Sequence, residues 1–264
     1  MNTRRMQRSH AVREKVIGVL GGLGPWATVD FFEKILRLTP AQRDQDHLRI
    51  LIDNNPKIPD RSPAIFGTGE DPTPALVATA KNLERAGADF LVIPCNTAHA
   101  FYDRIQAAVS IPVLHIMEEV AAAASQEVPD LRIVGVLATA ATMASGLYHR
   151  AFARIGVDVI GPDSAGQVVV DQAIYGVKAG RMGPEVTRGL VEVVEGLVVR
   201  GAQALVLGCT ELPFVLRPAH LNVPLLDSNL ILARAAIRMA TQAPQPLDSP
   251  AGAHSAALRA PRAP

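Results

Sequence analysis

The chain has 264 residues, enough for one large α/β unit or for two domains of about 100 to 130 residues each. With 48% hydrophobic residues, 19% charged residues and a formal net charge of +1, its composition excludes disorder over most of the length and a broad electrostatic attraction to nucleic acid. The expected partners are therefore small molecules or proteins, with no nucleic acid.

In chain order, residues 1–14 are basic and read as a disordered segment. The apolar run Val16 to Leu20 follows, an arrangement superficially like the start of a signal peptide. That run is short and breaks at Gly21-Gly22, and no stretch approaches the ~18 apolar residues of a membrane span, so a cytoplasmic protein with no membrane partner is expected. Short β-branched runs then alternate with helical patterns. The expected strands are Val16 to Leu20, Leu48 to Ile52, Phe90 to Ile93, Val113 to His115, Arg132 to Leu137, Val157 to Ile160, Ala204 to Leu207 and Pro224 to Leu226. Pro74 to Arg85 and Pro184 to Val199 carry helix-like apolar spacing. Alternating βα units define an α/β fold class built on parallel sheets. Residues 242–264, with Pro244, Pro246, Pro250, Pro261 and Pro264 among Ala, Ser and Gly, read as a disordered tail.

The two halves repeat one another. Gly87-Ala88-Asp89-Phe90-Leu91-Val92-Ile93-Pro94-Cys95 aligns without gaps on Gly201-Ala202-Gln203-Ala204-Leu205-Val206-Leu207-Gly208-Cys209. Ile17-Gly18-Val19-Leu20 matches Val134-Gly135-Val136-Leu137, and Ile111-Pro112-Val113-Leu114 matches Val223-Pro224-Leu225-Leu226. Gly135 lies 117 residues after Gly18, Cys209 114 after Cys95, and Val223 112 after Ile111, so the register drifts by only a few residues. Three collinear matches indicate an internal duplication. The expected organisation is a first domain of residues 15–116 plus 224–241 and a second of 117–223, related by a pseudo-twofold with the site in the cleft between them.

Both cysteines of the chain fall at equivalent strand ends, each immediately before an expected helix, which is where ligands sit in parallel α/β sheets. There is no CxxC pattern, which fits reduced thiols. A thiol at a helix start is a thiolate candidate, because unpaired amides and the helix dipole favour the anion. A single strand-end cysteine is more often an inert core residue, but the pairing makes Cys95 and Cys209 one feature. Inverting a carbon centre needs one base on one face and one acid on the other, and two equivalent thiols suit that task. The weakly acidic α-hydrogen also demands donors to stabilise developing negative charge, a role open to Asn96, Thr97 and Thr210.

At these residues the chain resembles the aspartate/glutamate racemase superfamily, and within it the aspartate racemases, from about Val16 to Met239. The motifs are Gly21-Gly22-Leu23-Gly24-Pro25-Trp26-Ala27-Thr28, Asp53-Asn54-Asn55-Pro56 with Ile58-Pro59-Asp60-Arg61, Pro94-Cys95-Asn96-Thr97-Ala98-His99, Leu137-Ala138-Thr139 through Thr142, and Leu207-Gly208-Cys209-Thr210-Glu211-Leu212-Pro213. The resemblance implies two similar domains, a cleft between them, no pyridoxal phosphate, no metal, and a homodimer. It makes Cys95 and Cys209 the acid and base pair acting on a small amino acid, aspartate first, with glutamate or a broader set as the alternative. It further implies that Arg61 and Lys178 engage substrate carboxylates, and that Asn54, Asn96, Thr97, Thr139, Thr142 and Thr210 line the site. Leu23 stands where Met is usual and Ala141 where Gly is common; neither removes a chemical group.

Rival readings rest on single features. Gly22-Leu23-Gly24-Pro25-Trp26-Ala27 fits a loose dinucleotide pattern with Asp53 as ribose ligand, but Pro25 is awkward in the turn and Asp53 lies 31 residues after Gly22 rather than about 20. Cys95, His99 and Cys209 could bind zinc, although the Cys-x3-His spacing is unusual and a fourth ligand is not evident. His99 is better read as a helix residue near the cleft. His115 and Asp227 follow matching strands and are expected to make structural hydrogen bonds. A small-ligand binding protein is the non-enzymatic alternative, and only an enzyme needs the paired thiols.

Overall fold

The computed structural model describes residues 14–241. The segments 1–13 and 242–264, expected above to be disordered, lie outside the described residues. The first half runs β1 (Ile17–Gly21), α1 (Pro25–Leu38), β2 (Ile50–Asn54), α2 (Arg61–Ile65), α3 (Thr73–Arg85), β3 (Phe90–Val92), α4 (Tyr102–Gln106) and α5 (Ile116–Glu127). The second runs β4 (Ile133–Leu137), α6 (Ala140–Ala144), α7 (Leu147–Ala153), β5 (Asp158–Ile160), α8 (Ser164–Lys178), α9 (Pro184–Val199), β6 (Ala204–Leu207), β7 (Leu225–Asp227) and α10 (Ser228–Thr241). The fold is α/β with two parallel sheets, ordered β2-β1-β3 and β5-β4-β6-β7. No helix among the described residues is long and apolar enough to cross a membrane.

The repeated sequence builds repeated packing. Gly18 pairs with Leu91 in the sheet, and a Cβ on it would stand 2.6 Å from the Leu91 side chain and 2.7 Å from the Ala88 Cβ. Gly135 pairs with Leu205, and a Cβ there would stand 2.8 Å from Leu205 and 3.3 Å from the Ala202 Cβ. The Gly, Ala and Leu of each repeat are thus one close contact between neighbouring strands, made twice. The non-identical position Asp89/Gln203 is also equivalent: the Val16 amide donates to Asp89 Oδ2 at 2.7 Å, and the Arg132 amide to Gln203 Oε1 at 2.6 Å. Each side chain clamps the start of the neighbouring central strand.

The two halves share a core rather than merely touching. Ile17, Val19, Phe31 and Phe90 join Val134, Val136, Tyr148, Phe152, Val206 and Leu232 in one buried cluster. Helix α10 packs on both α1 and α5, and α5 packs on α7. Separate clusters fill the other faces: Leu76, Leu83 and Ile105 beside the first sheet, and Val170, Ile174, Leu190 and Val194 beside the second. Central strands sandwiched this way read as continuous apolar runs, which is why IGVLG and ALVL are buried throughout.

Three local expectations differ from the structure. The Val113 to His115 strand is reduced to a single bridge between Val113 and Leu91, flanked by bonds from the Leu91 amide to the Pro112 carbonyl and from the Leu114 amide to the Leu91 carbonyl. The equivalent β7 makes a full ladder with β6. Residues 225–227, which the expected division gives to the first domain, therefore belong to the second sheet, and only α10 packs onto α1. The segments following the cysteines are short 3-10 turns, Thr97–Phe101 and Leu212–Phe214, rather than α-helices. Pro213 has no amide proton to donate.

Candidate active site

Cys95 and Cys209 end β-segments of different sheets and are both buried, at 5% and 6% exposure. Their loops touch: the Thr210 hydroxyl, next to Cys209, donates to the carbonyl of Pro94, next to Cys95, at 3.3 Å. Both thiols act electrostatically on the same ammonium group, that of Lys178 in the last turn of α8. Burial pulls Lys178 down, but Glu211, Cys209 and Cys95 together outweigh it and hold the ammonium above its ordinary range, with Arg61 opposing. Lys178 Nζ lies 5.0 Å from the Tyr175 ring centroid, a cation–π contact.

A second group of expected residues forms the seam between halves. Thr97 Oγ1 lies 2.8 Å from Thr142 Oγ1 and 3.3 Å from Thr139 Oγ1, and the latter two are 2.9 Å apart, so three buried hydroxyls form a closed triangle. Thr139 also caps α6 by accepting from the Thr142 amide. Asn96 is held at both ends: its Oδ1 accepts from Tyr148 at 2.7 Å and its Nδ2 donates to Ser228 at 3.0 Å. The Ser228 hydroxyl in turn donates to the Leu207 carbonyl at 2.7 Å. This chain of bonds ties the Cys95 loop to α7, α10 and β6.

Arg61 sits at the start of α2, buried at 7% exposure. Its guanidinium donates to the carbonyls of Leu23 at 2.9 Å and Pro59 at 3.1 Å, while its buried Nε has no partner. Such carbonyl bonds fix the fork in place without neutralising it. Asn54 is set apart from this buried group: it is exposed at the end of β2, paired in the ladder with Gly21.

The thiolate expectation fails for Cys209. Its Sγ donates to Glu211 Oε2 at 3.0 Å, and burial together with the Glu211 charge pushes the thiol well above its ordinary range, against a smaller pull from Lys178. A 3-10 turn of three residues supplies no helix dipole to offset this. Glu211 itself is buried at 3% exposure, its other oxygen 3.1 Å from the place a Cβ on Gly24 would occupy. Glu211, Tyr148 and Ser228 lie outside the set of site residues expected from the sequence. The available signal was the repeat: Glu211 lies 114 residues after Thr97, so an acid stands where the first half has a hydroxyl.

The rival chemistries lose their residues. His99 donates from Nδ1 to the Cys95 carbonyl at 2.9 Å, and its Nε2 accepts from the Ile116 amide at 3.2 Å, leaving no lone pair for zinc. Burial and the neighbouring His115 pull its pKa down to about 3, so it stays neutral. It lies in the 3-10 turn rather than in an α-helix. At His115 the buried Nδ1 has no partner, and the ring stands edge-on to His99 and Tyr102. Asp227 does bond structurally, capping α10 through the Asn229 and Leu230 amides and pairing with Lys34 at 2.8 Å. The glycine turn is unsuited to a pyrophosphate, because the Glu211 carboxylate fills the approach to Gly24, and Asp53 is taken by Asn82 at 2.8 Å.

The chain is similar to known proteins over most of the described residues. The family described as Asp/Glu/Hydantoin racemase matches residues 20–236. The broad specificity amino-acid racemase RacX of Bacillus subtilis is 31% identical over 229 residues, 84% of this chain and 96% of that one. A glutamate racemase of Koribacter versatilis is 36% identical over 185 residues, 66% of this chain and 60% of that one. Among solved structures, the Picrophilus torridus aspartate racemase superposes with a TM-score of 0.77 at 33% identity, covering 86% of this chain and 94% of that one.

Proposed function

This chain belongs to the Asp/Glu/Hydantoin racemase family and is an amino-acid racemase, and we propose that it interconverts L- and D-aspartate, with Cys95 and Cys209 exchanging the α-proton from opposite faces. The observation that carries this reading is the contact between the two cysteine loops, Thr210 to Pro94, at equivalent strand ends of two sheets. In one direction the Cys95 thiolate takes the α-proton and the Cys209 thiol delivers its own proton to the other face; the reverse direction exchanges the roles. No pyridoxal phosphate or metal enters this scheme.

Two features support a dicarboxylic substrate. Arg61 is a buried cation whose guanidinium bonds only to backbone carbonyls, so its charge is left for an anion to balance. Lys178 supplies a second cation beside both thiols. The hydroxyls of Thr97, Thr139 and Thr142 line the same seam, and a substrate that took one of their protons would open the triangle they form. Likeness to RacX favours a second reading, a broader set of amino acids, which a substrate panel including glutamate separates. A homodimer belongs to the same reading, and Trp26, Val29, Phe32 and Leu36 leave apolar surface exposed along α1 for it; solution light scattering tests this.

The decisive experiment incubates chelator-treated protein with L- and D-aspartate in heavy water. Both enantiomers should gain deuterium at Cα while interconverting. Cys95→Ser and Cys209→Ser should each abolish interconversion, leaving at most slow exchange on one face. Interconversion surviving in either variant sinks the two-thiol scheme.

A further inference from the structure

The pseudo-symmetry that relates the two cysteines is broken in the residues beside them, and the position two places on from each changes the charge. Around Cys95 the residue two places on is Thr97, whose hydroxyl turns away to Thr142 and Thr139. Around Cys209 it is Glu211, whose Oε2 takes the Cys209 S–H at 3.0 Å. The same oxygen lies 3.4 Å from the Thr210 hydroxyl, which shares its single proton between it and the Pro94 carbonyl, and the other oxygen rests against Gly24. Buried at 3% exposure, this carboxylate has no ion pair within contact distance among those the described residues make. A side chain as costly to bury as this one, aimed at a reacting sulfur, calls for a role.

We infer that Glu211 is a positioning residue for Cys209: it keeps the proton on sulfur at rest and makes the thiolate formed in turnover a stronger base, so the two cysteines are chemically unequal. The inference rests on the two-thiol reading above. When Cys209 gives its proton to the α-carbon, the S–H bond breaks, a C–H bond forms, and a sulfur anion is left facing a carboxylate. That repulsion favours proton uptake from the next substrate. Glu211 is unchanged at the end of the cycle. Other groups face Cys209 from the packed elements: Lys178 on α8, which stabilises the thiolate and is itself acted on by Cys95, and Tyr148 on α7, whose un-ionised phenol packs behind Gly208. Arg61 on α2 acts on the same group through Lys178.

The test uses the fact that the chain has two cysteines, so Cys95→Ser leaves a single thiol. Thiolate absorbance at about 240 nm is followed against pH, with the Cys95→Ser/Cys209→Ser protein subtracted to remove tyrosinate. In Cys95→Ser the rise should come above the ordinary cysteine value of about 8.5. Adding Glu211→Gln should move it down by about 1 to 3 pH units, the range for removing one adjacent like charge. Glu211→Asp, which keeps the charge but withdraws it, should shift it down by less, and serves if the Gln protein does not fold. A merely structural role would leave the midpoint in place. An unmoved or raised midpoint in whichever variant folds overturns the inference, even if Cys209→Ser abolishes racemisation. Racemisation surviving in Cys209→Ser overturns the two-thiol reading while a shifted midpoint would still report the coupling.

Discussion

Replacing Tyr148 by Phe removes one oxygen and creates almost no cavity, so its effect isolates a single buried bond. The phenol is 1% exposed and donates to Asn96 Oδ1 at 2.7 Å. Without it that oxygen is a buried acceptor with no donor. Asn96 cannot recover by flipping its amide, because Oδ1 would then face Ser228, whose hydroxyl already donates to the Leu207 carbonyl. Stranding one buried polar partner costs about 1–3 kcal/mol. For a domain of this size each kcal/mol lowers the melting temperature by about 2–4 °C, giving an expected drop of about 2–12 °C. Thermal unfolding followed by circular dichroism measures it, and the variant should retain its far-ultraviolet spectrum. Racemase activity should fall at temperatures well below the transition, since Asn96 adjoins Cys95. A melting point within about 1 °C of the parent would refute the reasoning that this bond ties the Cys95 loop to α7.

Three further outcomes are expected. His99 is neutral when folded, with a pKa near 3 against about 6.5 unfolded, so the unfolded chain binds the extra proton between those values; stability should be unaffected by it above pH 6.5 and fall by about 1.4 kcal/mol per unit below, a slope that His99→Gln should flatten in acid-denaturation curves. Gly22→Ala should cost more than about 2 kcal/mol in urea unfolding, because Gly22 has φ +88° and a Cβ would stand 2.4 Å from the Asn55 backbone; Gly67→Ala, at φ +72° with nothing within 4 Å, should cost distinctly less. Arg61→Lys should raise KM for aspartate by about tenfold or more, since one ammonium cannot hold the Leu23 and Pro59 carbonyls and also meet a carboxylate; an unchanged KM would remove Arg61 from substrate binding.

Much of this architecture was written locally. Parallel strands buried on both faces read as continuous apolar runs, so β1, β3, β4 and β6 were legible, and Pro184 to Val199 forms the helix its spacing predicts. The duplication was legible because the same close packing needs the same small residues twice, Gly18 with Ala88 and Gly135 with Ala202. The strand expected at Val113 is the exception: its sequence matches β7, but only one rung of ladder forms.

What the sequence determined by itself was the α/β class, the repeat, and the pairing of Cys95 with Cys209 as equivalent strand ends. Tertiary structure decided the chemistry around them. It spent Asn96 on Tyr148 and Ser228, closed three threonines into a triangle, left Asn54 exposed, and set Glu211 against the Cys209 thiol. The Asn96 and Thr97 contacts join residues 42 to 132 positions apart, and burial turns the neighbouring Glu211 carboxylate and Cys209 thiol into a coupled pair. Residue type fixes which groups can carry a proton, but only the packed environment sets how tightly each one holds it.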